Sequence, residues 1–452
     1  MEWSDTFVAP PRAVEGCVAM RFLSPTLLTV ILTLLTFSPT AAQAQVEDLN
    51  HPEPKRRIRA ARQLADSKET RFIPELAKLL KDPVLDVRLE AVAAITQIGT
   101  QDSLEPLIAA TRDASPEMQV AAVDGLVNFY HYGYVRTGWL SSVRDFGRNI
   151  KNRFSRPEPV VIDPYVLVNR DVVNAIGRVI VGGSSMESRA NAARAAGILR
   201  GKGAMPQLQE ALLSKNTMLI LEAVNSLKKI GDTGAGPSMV FLLRDLDDDV
   251  RLAVIQAMGQ LQVSEAIPEL VGIVKTSDDK TIRREALIAL AKLPNNGQQE
   301  LFRLYLRDRD SGIRAAAAEG IGRIGDANDL KLISEAFARE KNESTRLSMA
   351  FAAIHLGDLN NLTYLIDALN SSIHRGEARP FLIELARKPE VLGKLYEPLT
   401  TGTIDQKREL ATVIAWSGTR ESLPYLERLS QDSNTQVAQA AIQAIRNLQA
   451  RL

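Results

Sequence analysis

Cysteine is nearly absent from this chain: Cys17 is the one thiol among 452 residues. Downstream of it there is no material for a disulfide, a thiol nucleophile or a thiolate metal site. Histidine is scarce as well. The residues that follow His51, His131, His355 and His374 are Pro52, Tyr132, Leu356 and Arg375, so no His-Glu pair exists. Neither a His-Glu-x-x-His zinc motif nor a Gly-x-Ser-x-Gly elbow occurs. Aromatic residues make up 5% while hydrophobic residues reach 45%. A core so rich in alanine and leucine suits close helix packing better than sheets, which favour β-branched and aromatic side chains. Formal net charge is +1, so no chain-wide attraction to nucleic acid or anionic lipid is implied, and electrostatic recognition is left to a local patch.

Long apolar runs are lacking too, with one exception. Leu27 to Phe37 is apolar apart from its threonines, follows Met20-Arg21 and precedes Ala42-Gln43-Ala44. A charged start, a short apolar stretch and a small-x-small site describe a secretory signal, with cleavage expected after Ala44. The run is short for a membrane span, an uncleaved anchor being the alternative. Glu2, Asp5 and Glu15 fit poorly in such a signal, which points to Met20 as the start. The expectation is an exported protein, periplasmic or extracellular.

What the chain has in abundance is a repeat. A basic anchor recurs at Arg57, Arg88, Arg189, Arg251, Arg283, Arg314, Arg346 and Arg379, with Gln119, Ile220, Lys407 and Ala438 in the remaining slots. Most intervals are 31 to 33 residues; the exceptions are 28 (Arg379 to Lys407) and 70 (Gln119 to Arg189). Three residues on lies alanine in many copies: Ala60, Ala91, Ala122, Ala192, Ala223, Ala286, Ala317 and Ala441. Eleven on lies glycine, at Gly99, Gly231, Gly325, Gly357 and Gly418, and seventeen or eighteen on lies proline, at Pro74, Pro106, Pro206, Pro237, Pro268 and Pro424. Alanine lets helices approach closely, glycine ends a helix in the left-handed conformation, and proline opens the next. Each unit therefore reads as helix, turn, helix. One unit cannot bury its apolar face alone, so neighbours must stack.

These in-step residues resemble the HEAT family, in particular its short-repeat branch named after phycobilisome lyases, over roughly residues 52–450 apart from about 131–170. The resemblance implies an all-α fold, a right-handed α-solenoid of about 11–12 helical hairpins with one inserted segment, and a bacterial source. It also implies that the second helix of each hairpin lines a groove that holds partners. The domain plan is a leader over 1–44, repeats over 45–130, an insertion over 131–170, and repeats over 171–452 closed by a capping helix. The arginine column reads as structural, each arginine pairing with an acid such as Asp86 or Asp249; the alternative is a basic track for an acidic ligand.

The insertion gathers what the rest of the chain lacks. Tyr130, Tyr132, Tyr134, Trp139, Phe146, Phe154 and Tyr165 fall in or beside it, and residues 138–156 carry a net +4. Trp139, Val143, Phe146, Ile150 and Phe154 recur at three- and four-residue steps, the stripe of an amphipathic helix, which Pro157 and Pro159 stop. Such a helix covers apolar surface on its own solenoid or shields a break in the stack, docks on a protein partner, or lies on a membrane surface through 138–156. The expected contact residues are Tyr132, Tyr134, Trp139, Arg144, Arg148, Lys151 and Arg153.

Two motifs are set aside. Gly320 to Gly325 spells a dinucleotide fingerprint, but the motif requires a preceding strand, and here it falls at a repeat helix's end. Asp245, Asp247, Asp248 and Asp249 lack the glycine and closing glutamate of a calcium loop; Asp248 or Asp249 reads as a helix cap. No catalytic residue, cofactor or metal site is expected, and no nucleic acid. The enzymatic alternatives are a phycobilin lyase or a deoxyhypusine hydroxylase, whose His-Glu pairs this chain does not have. The expectation is a non-catalytic scaffold for a protein partner.

Overall fold

The computed structural model describes residues 45–134, 160–163 and 165–452. The signal-like segment falls outside them, as does most of the insertion, including Trp139, Arg144, Arg148, Lys151 and Arg153. Every described element is helical, and no strand occurs among the described residues. No described helix is long and apolar enough to cross a membrane. The chain forms two compact units, Met1–Pro106 and Leu107–Leu452.

In the first unit α1 (Pro54–Asp66) lies beside α3 (Leu85–Ile98), with the short α2 (Ile73–Lys78) between them in sequence. The second unit runs, in chain order, α4 (Pro116–Tyr130), α5 (Arg170–Gly182), α6 (Met186–Ile198), α7 (Met205–Ala211), α8 (Thr217–Ile230), α9 (Asp248–Gln260), α10 (Ile267–Thr276), α11 (Lys280–Ala291), α12 (Gln299–Tyr305), α13 (Ser311–Ile324), α14 (Leu330–Arg339), α15 (Glu343–His355), α16 (Leu362–Asp367), α17 (Arg375–Leu385), α18 (Pro389–Thr401), α19 (Ile404–Ser417), α20 (Leu423–Leu429) and α21 (Thr435–Arg451). Its second helices, α4, α6, α8, α9, α11, α13, α15, α17, α19 and α21, each pack on the next.

Nine second helices start the same way. A short polar residue four positions before the anchor accepts backbone N–H bonds from the first turn: Ser115, Ser185, Asn216, Asp247, Asp279, Asp310, Asn342, Thr403 and Asn434. Such a cap satisfies donors that the helix itself cannot. The acidic run at 245–249 belongs to this pattern, with Asp247 as the cap rather than Asp248 or Asp249.

The anchor side chain then reaches back to the carbonyl six residues earlier. Arg57 donates to the His51 oxygen at 2.8 Å, Arg88 to Asp82 at 3.0 Å, Gln119 to Asp113 at 2.9 Å and Arg314 to Asp308 at 2.9 Å. By this criterion the anchor near residue 377 is Arg375, which donates to the Leu369 oxygen at 3.1 Å, and not Arg379, which pairs with Glu409. Ala378 follows Arg375 by three and is fully buried. Several anchors also pair with an acid of the following repeat: Arg57 with Asp82 at 2.7 Å, Arg314 with Glu340 at 2.7 Å and Lys407 with Asp432 at 2.9 Å. The column is therefore a structural tie, with partners that lie a repeat away and not only in the same turn.

The in-step alanines are all buried. Closer still is the approach eight residues after an anchor. A Cβ on Gly322 of α13 would lie 2.7 Å from the Ala352 Cα of α15, and one on Gly259 of α9 would lie 2.8 Å from the Ala289 Cα of α11. The fingerprint-like glycines thus serve packing: Gly320 accommodates the Phe302 ring, Gly322 the next helix, and Gly325 is left-handed at φ 80°. Gly99, Gly231 and Gly357 are left-handed as expected. Gly418 is not: it leaves α19 extended, and a Cβ there would meet the Ile414 oxygen at 2.6 Å, so space and not conformation selects it.

A half-buried ionic cluster joins three second helices. Arg323 of α13 donates to Glu384 of α17 at 2.8 and 2.9 Å and to Glu319 at 3.0 Å, and stacks over Phe351 of α15. His355 of α15 lies 3.6 Å from the same Glu384 carboxylate. Burial alone would raise the Glu384 carboxyl, but His355 and Arg323 outweigh it and hold it at about 2.

Two predictions follow from packing and charge. Gly322→Ala should destabilise by roughly 1–3 kcal/mol through overpacking. Gly272→Ala, where a Cβ meets nothing within 4 Å, should be neutral or stabilise by about 0.5–1 kcal/mol; thermal unfolding followed by circular dichroism compares them. Because the Glu384 value is depressed, its contribution is present above the ordinary 4.5 and is lost as pH falls toward 2. Glu384→Gln should therefore cost about 1–2 kcal/mol at pH 7, after allowance for partial exposure. That gap should narrow below pH 4.5 and close only as pH reaches about 2 in urea titrations.

Candidate partner-binding surface

The insertion leaves the stack unbroken. Although a long segment separates them in sequence, α4 and α6 pack directly as neighbouring second helices. Gln119 accepts from the Ser184 amide at 2.9 Å, and Asn191 donates to Asp124 at 3.0 Å inside the interface. There is thus no break for the segment to shield.

Its two ends are pinned together. Tyr130, the last residue of α4, accepts a 2.9 Å hydrogen bond at its hydroxyl from the Asn169 amide, and the Asn169 side chain caps α5. The returning limb is then tied to the far end of α6. The Ile162 amide donates to the Ile198 oxygen at 3.0 Å, Ile162 is buried, and its carbonyl accepts from Arg200 Nε at 3.3 Å.

Arg200 is an unusual residue to find there. It occupies the helix-ending position that Gly99, Gly231, Gly325 and Gly357 fill in other repeats, and it takes the same left-handed conformation at φ 47°. A side chain in that region costs about 1–2 kcal/mol. Lys68 and Gln262 tolerate the same strain, but Arg200 uses its position to hold the limb.

Around this base lie large exposed apolar side chains. Tyr132 is 83% exposed, Tyr165 68% and Leu167 92%; Tyr132 and Leu167 each stand two residues from the Tyr130–Asn169 bond. Between the limb and the turns that follow α6 and α8 is a depression of about 510 Å³. Its lining includes Val166, Val173, Leu199 and Ile230, with Arg170, Arg200 and Lys202 as its cations and Asp163 as its one carboxylate. The Tyr165 hydroxyl donates to Asp163 at 2.8 Å, and Lys202 pairs with Asp232 at 3.4 Å.

Of the expected contact residues, Tyr132 is exposed and Tyr134 is half-buried in the turn after α4. Trp139, Arg144, Arg148, Lys151 and Arg153 lie outside the described residues. Leu167, Arg170, Arg200 and Lys202 were not expected. An arginine where sister repeats have glycine was the legible signal for one of them.

The second-helix layer offers a smaller hollow of about 220 Å³ lined by Lys228, Gln256, Glu285 and Lys292 among others. Burial, and then the like charge of Lys292, lower the Lys228 amine from its ordinary value. Lys228 donates to Gln256, which donates to Glu285, so the hollow is a chain of polar links across α8, α9 and α11. Among the described residues, no group of three or more His, Cys, Asp or Glu side chains is arranged to hold a metal ion.

If Arg200 holds the limb, Arg200→Gly should relieve strain yet loosen it. Overall thermal stability should stay level or rise, while amide exchange at Ile162 should quicken by about tenfold, the loss of roughly one hydrogen bond; exchange mass spectrometry or NMR reads both.

Comparison with known proteins agrees with the repeat architecture. Residues 43–128 and 239–303 match the model of the HEAT repeats. No curated protein matches the chain. Among solved structures, the complex of CpcE and CpcF of phycocyanin lyase from Nostoc sp. PCC7120 is 19% identical, covering 58% of this chain and 94% of that one at a TM-score of 0.33. Kap121p bound to Nup53p is 12% identical over 91% of this chain and 57% of that one, TM-score 0.45. Importin beta is 12% identical over 93% and 69%, TM-score 0.43. The chain carries HEAT repeats over the two matched stretches, and its fold is an all-α solenoid.

Proposed function

We propose that this protein is a non-catalytic scaffold that holds a protein partner at the base of the 131–170 segment and along its second-helix layer. The observation that carries this reading is Leu167, exposed at the edge of a preformed hollow, with Tyr165 bonded to the hollow's Asp163 and Tyr132 exposed two residues from the bond that pins the segment's ends. Monomeric proteins rarely display large apolar side chains together without a use for them, and sites mounted on rigid elements bind with little ordering cost. The small Lys228 hollow adds a polar contact point on the second-helix layer.

The absence of His-Glu pairs and nucleophile motifs in the sequence supports binding over catalysis. The apolar run Leu27 to Phe37 and the Ala42-Gln43-Ala44 site support export to the periplasm or beyond, in a bacterial envelope. HEAT-type stacks resemble one another whatever they bind, so the reading rests on the site and not on the fold.

A photo-crosslinking amino acid at Leu167 or at Tyr132 should trap the same protein band in cells. The same probe at Leu304, an exposed apolar position on α12, should not. Equal trapping from all three positions, or none from 132 and 167, would sink the proposal.

A further inference from the structure

Resting on that scaffold reading, we infer the chemistry of the partner: the hollow beside the limb receives a peptide in which carboxylates flank a large apolar side chain. Its floor is hydrocarbon. Val173, Leu199 and Ile230 are buried beneath it, and Leu167 stands at its edge almost wholly exposed. A volume of about 510 Å³ falls in the range of pockets that take side chains or small ligands. An apolar group entering it would be removed from water on several sides at once.

The described lining is net positive: Arg170, Arg200 and Lys202 face one lining carboxylate, Asp163, which already accepts from the Tyr165 hydroxyl. Lys202 shares its charge with Asp232. Among the described residues Arg200 uses Nε to hold the Ile162 oxygen, and a guanidinium has five N–H donors in a planar fork suited to a carboxylate. The N-terminal end of α5 adds a partial positive charge on the same side. The chain as a whole is nearly neutral, whereas the described lining of this hollow carries three cations against one carboxylate, and an acidic partner complements it.

A nucleic acid fits less well. Its phosphates would meet the cations, but the hydrocarbon floor would stay empty unless a base were inserted, and among the described lining residues there is no aromatic ring for it to stack on. An acidic peptide with leucine or phenylalanine between its carboxylates uses both features.

The test is fluorescence anisotropy with the full chain and three short labelled peptides: one of glutamate, leucine and phenylalanine, one with glutamine for glutamate, and one with serine for the apolar residues. A labelled single-stranded oligonucleotide is the fourth probe. The first peptide should bind, and each altered peptide should bind at least about tenfold more weakly. The double reversal Arg170→Glu with Lys202→Glu should weaken the first peptide by at least about tenfold, while Arg420→Glu, an exposed change far along the chain, should not. Equal binding of the glutamine or serine peptide, indifference to the double reversal, or tighter binding of the oligonucleotide at this surface would each overturn the inference. Crosslinking from Leu167 does not depend on the partner's charge. A partner trapped there while the peptides fail would retain the scaffold and remove only its acidic partner.

Discussion

Everything in this molecule depends on how closely one second helix can approach the next. Gly259 against Ala289 and Gly322 against Ala352 leave no room for a methyl group, so backbones and not side chains set the spacing between repeats. Such contacts gain dispersion energy over many atoms and make each interface stiff, because a packed surface of this kind has no small adjustment available to it. The anchor side chain completes the joint. By reaching six residues back to a carbonyl, it fixes the turn before the helix, and where it also meets an acid one repeat on, it fixes the next turn as well.

A stack built from such joints has properties that a single core lacks. Each interface is formed by neighbours, so stability accumulates repeat by repeat. The cluster of Arg323, Glu384 and His355 is an exception, since it couples three helices through one half-buried carboxylate. Breaking such a group leaves a partly desolvated charge unpaired, which adds to the loss of the contact itself. Cooperativity is thereby raised locally, in the α13–α17 region, while elsewhere the joints act pairwise.

Much of this was legible in the sequence, and the rest was hidden for physical reasons. The alanine, glycine and proline columns announce their roles because each answers a constraint of the chain itself: closeness, handedness, a missing N–H. Arg375 and Arg379 could not be told apart in that way, for the partner that distinguishes them is a backbone carbonyl, which carries no letter. The column of polar caps four residues before nine of the repeat slots was present in the letters but varies among Ser, Thr, Asn and Asp, so identity conceals what chemistry shares. The candidate surface was half legible. Tyr132 stood out as an aromatic in an aromatic-poor chain, while Leu167 and Arg170 at the end of the insertion meet Arg200 and Lys202 of the repeat only through the fold, which packs α4 directly on α6.

The Tyr130–Asn169 bond has a consequence for how this chain could change over time. With α4 and α6 packed directly and the two ends of the insertion fastened to each other, the distance to be bridged is independent of what bridges it. Closing a longer loop across fixed ends costs only about 0.6 kcal/mol for each doubling of its length. Length and composition at this one point are therefore nearly decoupled from the stability of the stack. Elsewhere one added residue would disturb the step between repeats; here whole segments can be exchanged, and recognition can be rewritten on a frame that does not register the edit.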